Sequence, residues 1–471
     1  MKNYILGIIC TICLSAAFTS CDDYLDITPK GSTLLDTFDD LQLLASGSYS
    51  QSAWSYSDME ILVNDCYGTS TSFMTNLTQT NTIAAALLTY NENIDRASLT
   101  ESNQAYSMNY SAICRMNVVI QNTPTVAGDE SKKASLVAQA RVIRAYLHYL
   151  VMIPFCKQYD ASTAATEGGI PYVTDINLGE ENKKLTLQET YDRMLEDCTD
   201  EVLNLLPEEP TDIELPGKAF GYAVRAKLLL QMKNYSEALK YANLALRYND
   251  NIEDRRGIVE APLSFQRSQF SPCNIFYAEP VSSGAGTNYL SYETAALFED
   301  GDILKDYAIY SQSATRTVYV WNPTDIAGLS EPVLNWSVYN TCRYNTGGIT
   351  SEQMYYIAAE CYIRTGNIQS GLDLVNKVRQ YRIAPAQYQP LTASNEKDAM
   401  TILQRCKRIE CLFTYNNYAD LKRWNTESAY RQTIRRTLNG TTYSLSPDSP
   451  LWVFPFPKNA TEYNKSLTQN Y

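Results

Sequence analysis

The chain has a single histidine, His148, in 471 residues. An imidazole acid–base site therefore has one candidate. It stands beside Leu147 in an apolar helical stretch with no acid–base partner in sequence, so it reads as a packed or capped residue. Zinc sites need clustered Cys and His ligands, and of the twelve cysteines the nine beyond residue 21 are scattered from Cys66 to Cys411 with no Cys-x-x-Cys pair. No metal and no cofactor is expected. Cationic excess is missing as well: 39 Lys and Arg against 52 Asp and Glu give a formal charge of −13. That balance argues against nucleic acid and against charge-driven docking on anionic lipid heads. Beyond the N-terminus no segment reads as a membrane span, which takes ~20 apolar residues. A disulfide framework suits small chains, so the nine cysteines from Cys66 to Cys411 read as buried thiols behaving as small hydrophobes.

What is present begins with an apolar run, Tyr4 to Phe18, behind Lys2. It is too short for an anchored span and has the size of the hydrophobic part of a secretion signal. Thr19 and Ser20 lead directly into Cys21, which resembles a bacterial lipobox, with Phe18 a departure. The resemblance implies cleavage before Cys21 and acylation of its thiol. Several acyl chains, at about 0.8 kcal/mol per buried CH₂, hold a protein to a membrane without a spanning helix. The expected organisation is a signal at residues 1–20 and one body at 21–471. Residues 1–20 hold one Lys and no acid, so the mature charge becomes −14.

Within the body, "ITPKGSTLLDTFDDLQLLASGSYS" reads as a tether entering a helix with Leu41, Leu44 and Ala45 on one face. A longer helix carries Leu136, Ala140, Ile143, Leu147 and Leu150 on a stripe and is expected to stop at Pro154. Thr186 with Glu189 three residues later makes a capping-box signal. Two segments then repeat at an offset of 133: Tyr222 matches Tyr355, Ala226 matches Ala359, and Asn234 matches Asn367. Further on, Ala238 falls on Gly371, Leu239 on Leu372 and Ala245 on Val378. Small residues at these spacings let helix backbones cross closely, and the pattern resembles the tetratricopeptide helix hairpin, which needs stacked neighbours to complete a core. Between the repeats, about 252–348, composition turns to Pro, Gly, Ser and Asn, with strand-like alternation in "RTVYVWNP". A long irregular insertion in a helical scaffold is usually a functional surface. The expected fold class is all-α, with hairpin repeats and a loop-rich insertion of minor β content.

The C-terminal third is more specific. Arg408, Glu410, Phe413, Asp420, Leu421, Arg423 and Trp424, followed by "LWVFPFPKNATEYNKSLTQNY", resemble the SusD/RagB family of Bacteroidetes surface lipoproteins that bind nutrients. "CDDYLDITPKG", "QARVIRAYLHYLVM" and the capped helix at Thr186 match earlier family blocks. Cys411 in place of Leu, "TYNNY" without Glu-Gly-x-Arg, and an end lacking Gly-Tyr are departures. The resemblance implies a non-catalytic lid that captures an oligosaccharide and delivers it to a SusC-like TonB-dependent transporter in the outer membrane. Asp22, Asp23 and Asp26 then resemble the family's signal for export to the cell surface. It also implies that Arg408, Glu410, Asp420 and Arg423 are scaffold, in keeping with charged helix positions generally. Sugar rings offer flat C–H faces beside hydroxyls, and 36 Tyr against 12 Phe suits surfaces that are both apolar and wet. Candidate ligand contacts are Tyr67, Phe73 and Asn76 in the loop after the first helix, and Tyr289, Tyr292, Trp321, Asn335, Trp336 and Tyr339 in the insertion. Peptide capture on the same scaffold, a glycoside hydrolase with two carboxyl groups in a cleft, and a protein-interaction scaffold are the competing readings. Trp424 and Trp452 are expected in the core.

Overall fold

The computed structural model describes residues 35–49, 57–69, 73–177, 182–257, 271–278, 287–306, 320–330, 332–337 and 345–471. The expected signal at 1–20, the expected acylation site Cys21 and the candidate Tyr339 lie outside these.

Helix α1 (Phe38–Tyr49) buries Leu41 and Ala45 against α2 (Gln104–Asn122) and α3 (Glu130–Phe155). The α2–α3 pair is itself an antiparallel hairpin. Asp129 opens α3 by accepting the Lys132 N–H at 2.9 Å. All five expected stripe residues, Leu136, Ala140, Ile143, Leu147 and Leu150, are buried. The helix passes through Pro154 and ends at Phe155, one residue beyond the expected stop; a proline this close to the end forfeits a single N–H bond. Helix α3 is long and apolar enough to cross a membrane, yet most of its apolar stretch is wrapped by the rest of the fold.

His148 lies on α3 with no exposure. The Val173 N–H donates to Nε2 at 3.1 Å, which leaves the ring proton on Nδ1 to donate to the Arg144 carbonyl at 2.8 Å. Tyr172 stacks on the ring at 3.8 Å. Burial drives the imidazole pKa down to about 3, so the ring is a neutral core residue at any ordinary pH.

Helix α4 (Leu187–Glu196) has its capping box: Glu189 N–H to Thr186 Oγ1 at 3.2 Å and Thr186 N–H to Glu189 Oε2 at 2.8 Å. The repeats are α5 (Lys218–Gln231) with α6 (Tyr235–Tyr248), and α7 (Ser351–Arg364) with α8 (Ile368–Arg379). Their correspondence extends into the turns. Lys233 and Gly366, 133 apart, both take the left-handed conformation (φ 60° and 88°), and Asn234 and Asn367 both stand at the following N-cap. Helix α6 packs on α7, so the hairpins are neighbours in space despite the hundred residues between them. The small residues mark the close approaches: a Cβ on Gly371 would sit 2.6 Å from the Ala359 carbonyl. Offset by the same 133, Lys227 and Glu360 are both buried and both face the C-terminal helices α9 (Glu396–Glu410) and α10 (Tyr415–Trp424).

The end of α3 is closed by the C-terminal segment. Lys422 Nζ donates to the carbonyls of Ile153 (2.9 Å) and Cys156, the Phe454 N–H to Pro154 O (2.8 Å), and Asn470 Nδ2 to Phe155 O (2.9 Å). The carbonyls from 153 to 156, which a helix terminus leaves without intrahelical partners, are thus all met. Trp424 and Trp452 are in the core. Of the eight described cysteines, Cys114 is half-buried, the other seven are buried, and all eight are free thiols. Burial pushes Cys156, Cys361 and Cys411 up to about 12, away from thiolate chemistry.

Candidate functional site

Alternating and β-branched residues give the stretch between α6 and α7 its strands. β2 (Thr287–Leu290), β3 (Val320–Thr324) and β4 (Val333–Ser337) join β1 (Cys66–Thr69) in one antiparallel sheet of order β1-β2-β4-β3. The two regions of chain expected to build a ligand face, more than 200 residues apart, therefore share one sheet. In its register Trp321 pairs with Trp336, and Trp336 with Asn288; the next row holds Asn322, Asn335 and Tyr289. Both tryptophan positions occupy a single cross-strand row. Pro323 lies on β3, an edge strand, where its missing N–H breaks no ladder bond on the open side.

Three expected contacts are corrected. Tyr67, Phe73 and Tyr289 are 0%, 0% and 4% exposed, so none offers a ring face to a ligand. They pack on one another instead, Tyr67 to Phe73 at 5.8 Å and Phe73 edge-on to Tyr289 at 5.4 Å, forming the apolar support where β1 meets β2. The Tyr67 hydroxyl is paired, as a buried phenol must be: it donates to Glu293 Oε2 at 3.4 Å and accepts the Tyr292 N–H at 3.1 Å. Burial beside Glu293 raises its pKa. Tyr292, by contrast, is 37% exposed, with its backbone held by Tyr67 and its hydroxyl donating to the Pro332 carbonyl. Asn76 is half-buried on the short helix Phe73–Thr78.

A layer of polar contacts fixes this sheet to the scaffold. Asn64, in the left-handed conformation (φ 63°), donates through Nδ2 to Glu293 Oε2 (3.2 Å) and to the Arg435 carbonyl (3.0 Å). Glu293 Oε1 accepts the Thr437 N–H at 3.1 Å. Arg435 and Thr437 belong to a hairpin, β5 (Ile434–Leu438) and β6 (Thr441–Leu445), turned by Asn439-Gly440 with both residues at positive φ. Its tip reaches the loop between β3 and β4, with Asn439 Oδ1 accepting the Ser330 N–H at 3.1 Å. The hairpin was not anticipated. "TLNGTT" between alternating apolar residues was the available signal for a two-residue turn.

The four charged residues of the C-terminal motif hold three segments in place. Arg408 reaches Asp65 (3.4 Å) and the Val63 carbonyl, fixing the approach to β1. Asn417 Nδ2 donates to the same Asp65 at 2.8 Å. Burial pushes the Asp65 carboxyl up to about 6 even though Arg408 and Asn417 pull it down. Glu410 binds Arg382 (2.8 Å) and Arg255 (3.1 Å), and Arg382 also binds Glu352 (3.0 Å); these pin the root of the insertion, where the Glu253 N–H donates to Glu352 Oε1 at 2.9 Å. Arg423 grips Glu360 through two bonds, 2.6 and 2.8 Å, and Asp420 at 2.9 Å, tying α10 to α7. All of these carboxylates are engaged with cations inside the protein. The motif is scaffold, as expected, and among the described residues no cluster of His, Cys, Asp and Glu could hold a metal.

The family described as SusD-like_3, starch-binding associating with outer membrane, matches residues 23–230, and the SusD family, SusD_RagB, matches residues 353–471. The insertion falls between the two matches. No curated protein matches the chain. Among solved structures, a SusD superfamily protein from Bacteroides thetaiotaomicron aligns at 15% identity over 92% of this chain and 100% of its own, with a TM-score of 0.70. A SusD-like carbohydrate binding protein from Bacteroides vulgatus aligns at 14% over 92% and 97%, TM-score 0.64. Surface glycan-binding protein A from Bacteroides uniformis aligns at 16% over 92% and 99%, TM-score 0.66. At these identities the likeness is one of fold, and that fold is the mostly helical one expected from the sequence.

Proposed function

Because this chain belongs to the SusD/RagB family, a family of carbohydrate-binding proteins, we propose that it binds an oligosaccharide or polysaccharide at the cell surface without cleaving it and passes it to a SusC-like TonB-dependent transporter. The observation that carries the reading is the sheet: Trp321 and Trp336 in one row, raised on a helical body, with the exposed Tyr292 just past the end of β2. Asn76 and Tyr339 complete the proposed ligand surface, whereas Asn335, in the register row of the buried Tyr289, is set apart from the tryptophan row. A row of aromatic residues with amide and hydroxyl groups beside it suits sugar rings, whose apolar faces stack while their edges hydrogen-bond. In this reading Cys21 carries the lipid that anchors the protein to the outer membrane, facing outward.

Incubating purified protein with labelled glycans tests the non-catalytic part. The expected result is retention of at least one glycan with its chain length unchanged. Shortened products would move a surface glycoside hydrolase to first place, and retention of peptides but no glycan would favour peptide capture.

A further inference from the structure

We propose that the outward face of the β5–β6 hairpin is a subsite for an acidic group of the glycan, with the Arg435 guanidinium as the cation that receives it. This rests on the glycan-binding reading above. The hairpin alternates strictly: Ile434, Arg436 and Leu438 are buried, while Arg435 and Thr437 are exposed. Register places Arg435 opposite Ser444 and Thr437 opposite Thr442, and both partners are exposed. The outward face is thus a row of three hydroxyls and one guanidinium, with the Thr437 and Thr442 hydroxyls 3.0 Å apart.

Position and charge turn this ledge into a site. Asn64 bonds both the Arg435 carbonyl and Glu293, and Glu293 in turn accepts the Thr437 N–H. Glu293 directly follows Tyr292, whose ring is the exposed aromatic at the edge of the candidate face. One layer of hydrogen bonds therefore fixes the aromatic ring and the hydroxyl ledge relative to each other. The Glu293 carboxylate has both oxygens engaged in these bonds. Arg436, the next residue, turns inward to the Ile61 carbonyl and the Tyr90 hydroxyl. Among the described residues the Arg435 side chain makes no ion pair or hydrogen bond. A guanidinium left open in this way can form two parallel bonds to a carboxylate or sulfate. The chain as a whole is acidic, at −13, and general attraction would not hold a polyanion, so a local fork is what would select one.

The test is a glycan array carrying neutral, uronate-bearing and sulfate-bearing saccharides, followed by titration of the best-bound glycan with wild-type protein and Arg435→Gln. The expected result is that the best-bound glycan is acidic, that Arg435→Gln weakens it about tenfold or more, and that esterifying or desulfating the glycan weakens wild-type binding to the same level. The uronate and sulfate arms tell which acid is received. A neutral best-bound glycan, or an Arg435→Gln affinity equal to wild type, overturns the subsite while leaving glycan binding standing. Retention of no glycan at all overturns the parent reading together with this one.

Discussion

Arg423→Met is expected to lower the free energy of unfolding by about 3–5 kcal/mol, the cost of leaving a buried ion pair without one partner. Arg423 and Glu360 are both fully buried. Glu360 receives both guanidinium bonds, the Trp424 indole N–H at 2.9 Å and the Lys407 ammonium at 3.8 Å. Removing the guanidinium strands a carboxylate in the middle of the α7–α10 contact with only a distant lysine to balance it. Urea denaturation followed by circular dichroism reads the change directly. The pH dependence supplies a second readout. Burial alone would raise the Glu360 pKa, but Arg423 and Lys407 overcome it and hold the group down at about 2. A carboxyl lowered on folding stabilises the protein above its unfolded pKa, near 4.5, and that contribution disappears as pH falls through the folded value. Wild type should therefore lose stability between about pH 4.5 and pH 2, and Arg423→Met should lack this part of the acid slope. A change below 1 kcal/mol with the acid slope unaltered would contradict the role assigned to the network.

The second large effect is at the other end of the same assembly. Gln469 and Asn470 bond four backbone groups: Gln469 Oε1 accepts the Phe456 N–H at 2.8 Å, Gln469 Nε2 donates to Phe456 O at 3.0 Å, and Asn470 Nδ2 donates to Phe155 O at 2.9 Å and Gly169 O at 3.0 Å. A stranded buried polar group costs about 1–3 kcal/mol. The double variant Gln469→Ala/Asn470→Ala is therefore expected to lose roughly 4 kcal/mol or more, and either single variant about half. Because these bonds close the α3 terminus, hydrogen exchange should quicken first in the last turn of α3 and in Gly168–Pro171. Loss of stability spread evenly over the molecule, or confined to the final residues, would contradict the closure described here.

The scaffold was legible because its determinants are local or periodic. The stripe on α3, the capping box at Thr186 and the small residues of the hairpins are readable from spacing alone, and the 133-residue offset held even for the turn residues Lys233 and Gly366. The charged motif around Arg408 was legible as scaffold but not in detail: which segment each charge holds depends on pairings such as Arg408 with Asp65, 343 residues away. The candidate face was less legible for a physical reason. Tyrosine serves equally as a surface platform and as a buried ring with a paired hydroxyl, and composition does not separate the two. Tyr67 took the second role, and the Tyr289 ring is buried beside it, because β1 and β2 need apolar support where they meet, and a pairing between strands so distant in sequence leaves no local trace. The β5–β6 hairpin had a clear turn signal in Asn439-Gly440, yet only its bonds to Asn64 and Glu293 connect it to the site.

Titration of Trp336→Ala against the glycan that wild type retains bears most directly on the central claim, that a tryptophan row on the insertion sheet grips the nutrient. Affinity is expected to fall at least tenfold, ~1.4 kcal/mol, with the helical circular dichroism unchanged, since Trp336 lies on a strand and not on any helix. An unchanged affinity in a folded Trp336→Ala protein would contradict that claim.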